Sequence, residues 1–224
     1  MVRTDSLTVA PNWAQLRQSA HSAILTALAE LVERAKACFD AGAGMIDLHV
    51  REDDESHSLD GVRYRSTISA IRKAIPEIAT QITTESGGRY EVAEQLKCLR
   101  EVLLDSASVA VLKIARDAKL IKEFYHSANE LRINLQHIVY SPKDLDAFLP
   151  KVENSGLRWT VCAFEKHEQT CLLAALHAGR NVRIGFENNT TAPDRTVFAD
   201  DTASVASFIQ AAMKLGFQNR GRAA

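Results

Sequence analysis

The sequence predicts an α/β fold, specifically a (β/α) barrel of the TIM type, from three observations. Short runs rich in β-branched residues alternate with segments of helical period along nearly all of the 224 residues, which is typical of successive βα units. No linker rich in Pro, Gly or Ser interrupts them, so we expect residues 1–224 to form a single barrel-like domain. No strand is followed by G-x-G-x-x-G or G-x-x-x-x-G-K-[ST], which disfavours the alternative, an open doubly wound sheet.

The individual elements follow from apolar periodicity and from the positions of Pro and Gly. A helical stripe of Ile68, Ile71 and Ile75 ends at Pro76, for example, and the first strand ends at Pro11. The same reasoning predicts strands at 7–10, 45–51, 78–84, 108–114, 133–140, 159–164 and 182–186. The helical stripes lie at 24–38, 68–75, 92–103, 120–131, 142–152, 172–176 and 205–212.

Composition excludes several classes of partner. With 27 Lys and Arg against 28 Asp and Glu, the formal net charge is −1, so no basic field is available to hold nucleic acid or an anionic membrane. No apolar run approaches the roughly 20 residues of a membrane span, and the N-terminus does not resemble a signal peptide. The four cysteines are far apart and form no C-x-x-C pair, which predicts core thiols in a cytoplasmic protein.

The second predicted strand carries polar residues at alternate positions near its end. Asp47, His49 and Arg51 alternate with apolar neighbours, so the three side chains share one face, which looks into the pore of a barrel. A carboxylate and an imidazole on the same face are suited to bind a divalent metal. The alternative is a buried Asp–His or Asp–Arg pair that only stabilises the strand.

The last predicted strand carries a second polar face. Arg183, Gly185 and Glu187 lie on it, and we expect Gly185 to leave room for a ligand between the guanidinium and the carboxylate. Arg183 is suited to a substrate carboxylate, and Glu187 can complete a metal site begun by His49. The alternative is an Arg–Glu ion pair. Because the second and last strands are close neighbours across a closed barrel, the two clusters together favour an active site.

A hydroxyl-rich and glycine-rich turn follows the third predicted strand. Such a turn lets backbone N–H groups meet an anionic oxygen, although a Gly-Gly pair is more often a plain turn. A lysine at the end of the fourth predicted strand faces the barrel mouth or is a solvated loop charge. The candidate substrate-binding residues are Thr83, Thr84, Ser86, Gly87, Gly88 and Lys113.

Three blocks of the sequence resemble the β-keto acid cleavage enzyme family, which includes 3-keto-5-aminohexanoate cleavage enzyme. They are AKACFDAGAGMIDLHVREDD, ISAIRKAIPEIATQITTESGG and HAGRNVRIGFENN, and the resemblance runs from Thr8 to about Asn189. It implies a TIM-barrel enzyme that converts a β-keto acid and acetyl-CoA into acetoacetate and a new acyl-CoA by retro-Claisen chemistry. It also implies a divalent metal, usually zinc, and a homo-oligomer, commonly a tetramer.

The resemblance assigns roles to individual residues. His49 and Glu187 correspond to metal ligands, Arg183 to the arginine that fixes the carboxylate of the keto acid, and the stretch 83–88 to the turn that receives substrate, with about two extra residues here. Asp47 stands where the family has its first metal histidine. Because a more anionic ligand set makes a weaker Lewis acid, the metal is expected to be zinc or a harder ion, Mg or Mn.

Two further catalytic positions depart from the family pattern. Asn188 follows the glutamate where the family has a catalytic Asp and cannot serve as a base, and Gln15 stands in place of a substrate-binding Glu. The candidates to supply the missing base are Glu85, Glu165 and His167. The alternative function is a non-catalytic or altered-chemistry relative that binds a small carboxylate or serves as an assembly subunit. The chain is also shorter than family members, by about one βα unit between residues 114 and 159.

Overall fold

Seven parallel β-strands form the centre of the described protein. The computed structural model describes residues 7–12, 27–102, 104, 106–109, 114, 116–137 and 160–217. Hydrogen bonds join the strands in the order β5-β4-β3-β2-β1-β7-β6, and every pair is parallel. The strands are β1 (Leu7–Val9), β2 (Met45–Leu48), β3 (Ala79–Thr83), β4 (Ser106–Val109), β5 (Asn134–His137), β6 (Thr160–Val161) and β7 (Asn181–Ile184).

The strand order brings the two edges of the sheet close together. β1 pairs with β2 on one side and with β7 on the other, and the two edge strands, β5 and β6, contact each other. Strands that are adjacent in sequence are therefore adjacent in space around a nearly closed barrel, whereas a doubly wound sheet reverses its order at a switch point. The predicted TIM-type barrel is confirmed.

Helices pack around the outside of this sheet and bury their apolar faces against it. Leu31, Ala35 and Cys38 of the first helix and Ile68 and Ile71 of the second are buried, as the helical periods predict. The helices are α1 (Leu28–Ala41), α2 (Gly61–Ala74), α3 (Val92–Val102), α4 (Leu120–Glu130), α5 (Glu168–His177) and α6 (Asp201–Lys214), and a short 3₁₀ helix, Glu165–His167, precedes α5.

Some predicted elements differ in extent or fall outside the described residues. β2 ends at Leu48 because the following chain turns into a loop closed by an antiparallel bridge between Arg51 and His57. The four cysteines are free and buried, as predicted. The predicted helix at 142–152 lies outside the described residues, as does half of the segment where a βα unit is expected to be missing. Among the described helices, none is long and apolar enough to cross a membrane.

The turn after β7 lies directly against β1. Gly185 has a φ of 138°, and a Cβ built on it would lie 2.4 Å from the carbonyl oxygen of Ala10. The same carbonyl accepts a hydrogen bond from the Glu187 N–H at 3.2 Å. The expectation that Gly185 leaves room for a ligand is therefore wrong, because the backbone of the neighbouring strand occupies that space. Glycine is needed there for the close approach of two backbones.

Two buried carboxylates at helix N-termini hold the turn from the other side. Asp201, at the start of α6, accepts a hydrogen bond from the Phe186 N–H at 2.7 Å. Glu168, at the start of α5, accepts one from Asn189 Nδ2 at 3.1 Å. Burial raises the pKa of each carboxyl group to about 8, although these hydrogen bonds oppose the rise. The conformation of the turn that carries Glu187 thus depends on side chains from two helices.

Substituting Gly185 by Ala is expected to lower the free energy of unfolding by about 3 kcal/mol, because the new methyl group overlaps Ala10 and the positive φ is strained. Gly179→Ala is the matched control, because its φ is 71° and nothing described lies within 4 Å of the added Cβ. It should cost about 1 kcal/mol. Urea unfolding of both variants measures the difference, and equal losses would contradict the packing described for Gly185.

Substituting Asp201 by Asn is expected to change how stability depends on pH. The folded protein keeps a proton on Asp201 that the unfolded chain releases above about pH 4, so this contribution to stability is present below pH 4 and is lost as pH rises through the folded pKa of about 8. Asparagine retains an oxygen for the Phe186 N–H. The free energy of unfolding of Asp201→Asn, relative to the parent, should therefore increase steadily from pH 4 to pH 8.

Asp200→Asn is the control for this titration. Burial raises the pKa of Asp200, but the Ala203 N–H and Arg34 outweigh it and hold the pKa below its ordinary value. Its contribution is therefore present above about pH 4 and is lost only on further acidification. Urea titrations at several pH values that show the same profile for both variants would rule out the protonated state assigned to Asp201.

Candidate active site

Four polar side chains from two strands meet at the carboxyl-terminal end of the barrel. Asp47 lies in β2 and Arg183 in β7, and His49 and Glu187 follow the ends of these strands. β1 lies between the two strands, so the side chains reach across it toward each other. All four are at least 95% buried, and one ligand atom from each of Asp47, His49 and Glu187 lies within 4.8 Å of the others. The structure thus brings together the two clusters that the sequence placed on separate strands.

Arg183 is the centre of the contacts within this group. Its Nη1 donates to Asp47 Oδ2 and lies 3.0 Å from Glu187 Oε2, while Nη2 donates to Glu187 Oε1 at 3.0 Å. Nη2 also lies 3.6 Å from the Sγ atom of Cys162. Three protein groups therefore surround a guanidinium that is only 2% exposed. A buried charge of this kind is stable only when such partners neutralise it.

Burial and the neighbouring charge of Arg183 shift the pKa values of Asp47, Glu187 and His49. Burial raises the pKa of Asp47 and raises that of Glu187 to about 8, and Arg183 opposes the rise in both. Burial also lowers the pKa of His49 well below its ordinary value, and the charge of Arg183 adds to this effect. The imidazole is therefore neutral and keeps a lone pair. Two carboxyl groups that are costly to ionise in isolation lie beside a neutral imidazole, and a divalent cation favours the charged form of both.

The unpaired atoms of the site fit a metal ion. Among the described residues, neither ring nitrogen of His49 has a hydrogen-bond partner, although the side chain is buried. Its Nε2 lies 3.6 Å from Glu187 Oε1. A buried imidazole without partners carries a desolvation cost that metal coordination removes. One nitrogen and two carboxylate ligands would leave an open coordination position, as catalytic metal sites require. Asp47, His49 and Glu187 are therefore a possible metal site.

Two asparagines hold the backbone of the site in place. Asn12, which follows β1, donates from Nδ2 to the His49 carbonyl at 3.0 Å. Asn188 donates from Nδ2 to the Arg183 carbonyl at 3.2 Å, so the residue in the position of the expected base acts on the β7 backbone here. Asn12 directly follows Pro11 at the end of the first predicted strand. The strand-end rule that selected Asp47 could have selected it as well.

The predicted substrate turn follows β3, next to His49. Thr83 accepts the Glu85 N–H on its Oγ1 at 3.0 Å. Thr84 donates its hydroxyl to the Ser108 carbonyl at 2.9 Å, so it is tied to β4. Ser86 is buried, and the positive φ values of Gly87 and Gly88, 55° and 74°, carry the chain around the turn. The stretch therefore forms a turn at the barrel mouth, as expected.

His57 lies between this turn and the candidate metal ligand His49, a contact that the sequence did not indicate. Its ring lies 5.9 Å from the His49 ring, centroid to centroid. Its Nε2 donates to the Glu85 carbonyl at 2.9 Å, and its Cδ2 would lie 3.1 Å from a Cβ on Gly87. The His57 carbonyl accepts from the side chains of Arg89 and Tyr90, each at 3.1 Å. No sequence spacing predicts this, because the contact joins two loops.

The remaining residues predicted for the site either lie in the surrounding loops or fall outside the described residues. Arg51 donates to the Glu55 carbonyl at 3.0 Å and helps to close its own loop. Glu165 and His167 lie in the 3₁₀ helix, and neither is buried. Gln15 and Lys113 lie outside the described residues, so their proposed roles in catalysis and substrate binding stay predictions.

Comparison with known proteins identifies the family. The chain matches the beta-keto acid cleavage enzyme family over residues 6–149 and 135–219. It is 22% identical over 249 aligned residues to a 3-keto-5-aminohexanoate cleavage enzyme of Fusobacterium nucleatum, covering 94% of this chain and 92% of that protein. It is also 35% identical over 110 residues to a 3-oxoadipate:acetyl-CoA acetyltransferase of Cupriavidus necator, covering 49% of this chain and 38% of that protein.

A solved structure gives independent support for the fold. The complex of ObcA with oxaloacetate superposes with a TM-score of 0.65 at 10% sequence identity, covering 86% of this chain. The chain spans less than two thirds of ObcA, namely 64% of its length. At this level of identity the likeness concerns the fold alone. The family match, in contrast, extends over most of the sequence and includes both strands of the site, and the protein therefore belongs to the beta-keto acid cleavage enzyme family.

Proposed function

We propose that this protein cleaves a β-keto acid in a metal-dependent reaction with acetyl-CoA. In this reaction the bond between Cα and Cβ of the keto acid breaks. The acyl fragment leaves on coenzyme A, and the two remaining carbons of the substrate join the acetyl group as acetoacetate. Atoms balance without any oxidant or reductant. The observation that carries the proposal is the convergence of Asp47, His49 and Glu187 in a chain of this family.

The three ligand residues have distinct parts in the proposed site. Neutral His49 supplies a nitrogen lone pair, and Asp47 and Glu187 each supply a carboxylate oxygen. The bound ion, zinc or a harder cation such as Mg or Mn, would polarise the β-carbonyl of the substrate as a Lewis acid. Two carboxylates donate more negative charge to the ion than a two-histidine set would, so we expect weaker zinc selectivity.

In this proposal Arg183 positions the two carboxylate ligands, Asp47 and Glu187, and does not bind the substrate. Its guanidinium holds both carboxylates through short contacts and keeps them oriented toward His49. The carboxylate of the keto acid is then left to the turn after β3, where the Ser86 hydroxyl and the N–H groups of Gly87 and Gly88 are the proposed donors. Lys113 is the proposed cationic partner from the end of the fourth strand. The protein is proposed to work as a homo-oligomer, as the resemblance implies.

A second candidate function is a relative that binds a small carboxylate without catalysis or with altered chemistry. The contact between Arg183 and Asp47 favours it, because the guanidinium already neutralises the carboxylate that replaces the first metal histidine. The Asn188 amide, which donates to the Arg183 carbonyl, cannot replace a base. On this alternative the barrel binds its ligand without a bound ion.

Metal analysis and turnover decide between the two functions. The purified protein should retain one divalent ion per chain and should consume a β-keto acid only when acetyl-CoA is present. Asp47→Ala should lose the ion and lower kcat/KM by about 100-fold, since a Lewis acid contributes several kcal/mol to the barrier. Asp53→Ala is the matched control, because that carboxylate is 93% exposed and is not one of the three ligand residues.

A different set of results would rule out the catalytic function. The catalytic proposal would be abandoned if the protein held no ion, turned over no β-keto acid with or without acetyl-CoA, and behaved identically after Asp47→Ala. Carboxylate binding that persists under those conditions and disappears in Arg183→Ala would favour the second function.

A further inference from the structure

His57 reaches the site through the loop that follows β2. The loop doubles back on itself, because His57 forms an antiparallel bridge with Arg51. The His57 side chain is 1% exposed. Its ring lies 5.9 Å from the His49 ring, centroid to centroid, at an interplanar angle of 49°. A second buried imidazole therefore lies beside a candidate metal ligand.

The same imidazole contacts the turn after β3 on both sides of Ser86. Its Nε2–H donates to the Glu85 carbonyl at 2.9 Å. Because a carbonyl oxygen only accepts hydrogen bonds, Nε2 carries the ring proton. Gly87 packs so closely against the ring that a Cβ built on it would lie 3.1 Å from His57 Cδ2. The ring therefore fixes the backbone immediately before and immediately after the serine.

The backbone of His57 holds the far end of the same turn. Its carbonyl accepts from Arg89 Nη1 and from the Tyr90 hydroxyl, each at 3.1 Å. The Tyr90 ring meets the His57 ring edge-on, with 6.0 Å between the centroids. The backbone N–H groups of Arg89 and Tyr90 in turn donate to the Ser86 carbonyl, at 2.9 and 3.0 Å. His57 thus supports this turn from Glu85 to Tyr90.

The proposed substrate donors of the turn depend on this support for their direction. The Ser86 hydroxyl and the Gly87 N–H make long contacts with the Glu85 carboxylate, each at 3.4 Å. The Gly88 N–H lies equally far, 3.4 Å, from Ser86 Oγ. Hydrogen bonds of this length are weak and do not fix the direction of a donor. The backbone that carries the donors sets their direction, and His57 holds that backbone.

We infer that His57 is a positioning residue, which holds the turn after β3 at a fixed distance from His49 so that a substrate carboxylate bound by the turn lies beside the metal. The inference rests on the proposed function, because that function assigns substrate binding to this turn. His57 acts through the residues that it contacts. Such support matters because a displacement of about 1 Å is enough to weaken a binding group strongly.

The test compares two substitutions of similar volume. His57→Leu removes the Nε2–H donor, whereas His57→Gln keeps an N–H donor of similar reach. In the metal-loaded protein, His57→Leu should raise the KM for a β-keto acid about tenfold and change kcat by less than about threefold, because the turn binds the carboxylate throughout the reaction. His57→Gln should keep this KM within about threefold of the parent. The KM for acetyl-CoA and the metal content should stay unchanged in both variants.

Two further variants complete the comparison. His126→Leu is the matched control, because that imidazole is 69% exposed on α4, and it should leave the KM unchanged. Tyr90→Phe is a milder change, which removes one donor to the His57 carbonyl and leaves the His57 ring in place. It should raise the KM for the keto acid about threefold, and it tests the inference even if His57→Leu does not fold.

A binding measurement separates the inference from the proposed function. The β-hydroxy analogue of the acid lacks the ketone and cannot be cleaved, so its dissociation constant reports carboxylate binding without turnover. If no keto acid reacts, the proposed function fails, but binding that is about tenfold weaker in His57→Leu and is restored in His57→Gln would still support the role of His57. The inference is overturned if the parent does not bind the analogue, if the two His57 variants bind it alike, or if His57→Leu lowers only the stability in urea.

Discussion

The buried guanidinium of Arg183 is the constraint on which the rest of the site depends. It is 2% exposed and contacts Asp47, Glu187 and Cys162. Removing a charge from water costs several kcal/mol, and only partners in good hydrogen-bonding geometry offset that cost. The strands that carry these partners must therefore keep their register across β1. The ion-pair group fixes the geometry of the barrel mouth, and it also places two carboxylates where a metal ion can use them.

The surrounding structure serves mainly to keep the turn after β7 in one conformation. Gly185 allows that turn to pack directly on Ala10, and Asp201 and Glu168 accept its donors from the side of the helices. Both of these carboxyl groups are buried and have a raised pKa, so they accept hydrogen bonds at a cost in stability when they ionise. The protein is therefore less stable than it would be without these buried carboxyl groups, but Glu187 is held in a fixed position. Functional sites commonly carry such a cost in stability.

Much of the barrel and its principal cluster could be predicted from the sequence, because both depend on regular periods. Alternation along β2 and β7, together with closure of the sheet, is enough to bring Asp47 and Glu187 together. Contacts between loops have no such period, so the sequence does not indicate that His57 lies next to His49. The sequence also cannot give the role of Gly185, because a missing side chain does not reveal whether a ligand or a neighbouring backbone fills the space.

We propose that Asp47, His49 and Glu187 hold one divalent ion beside Arg183. A crystal structure of the metal-loaded protein, with anomalous differences recorded at the absorption edge of the ion, tests it most directly. We expect one anomalous peak within about 2.5 Å of a His49 nitrogen and of an oxygen from each carboxylate. The proposal would be contradicted if the ion in such a crystal bound elsewhere. In that case Arg183 would still contact Asp47 and Glu187, and no ion would lie between His49 and the two carboxylates.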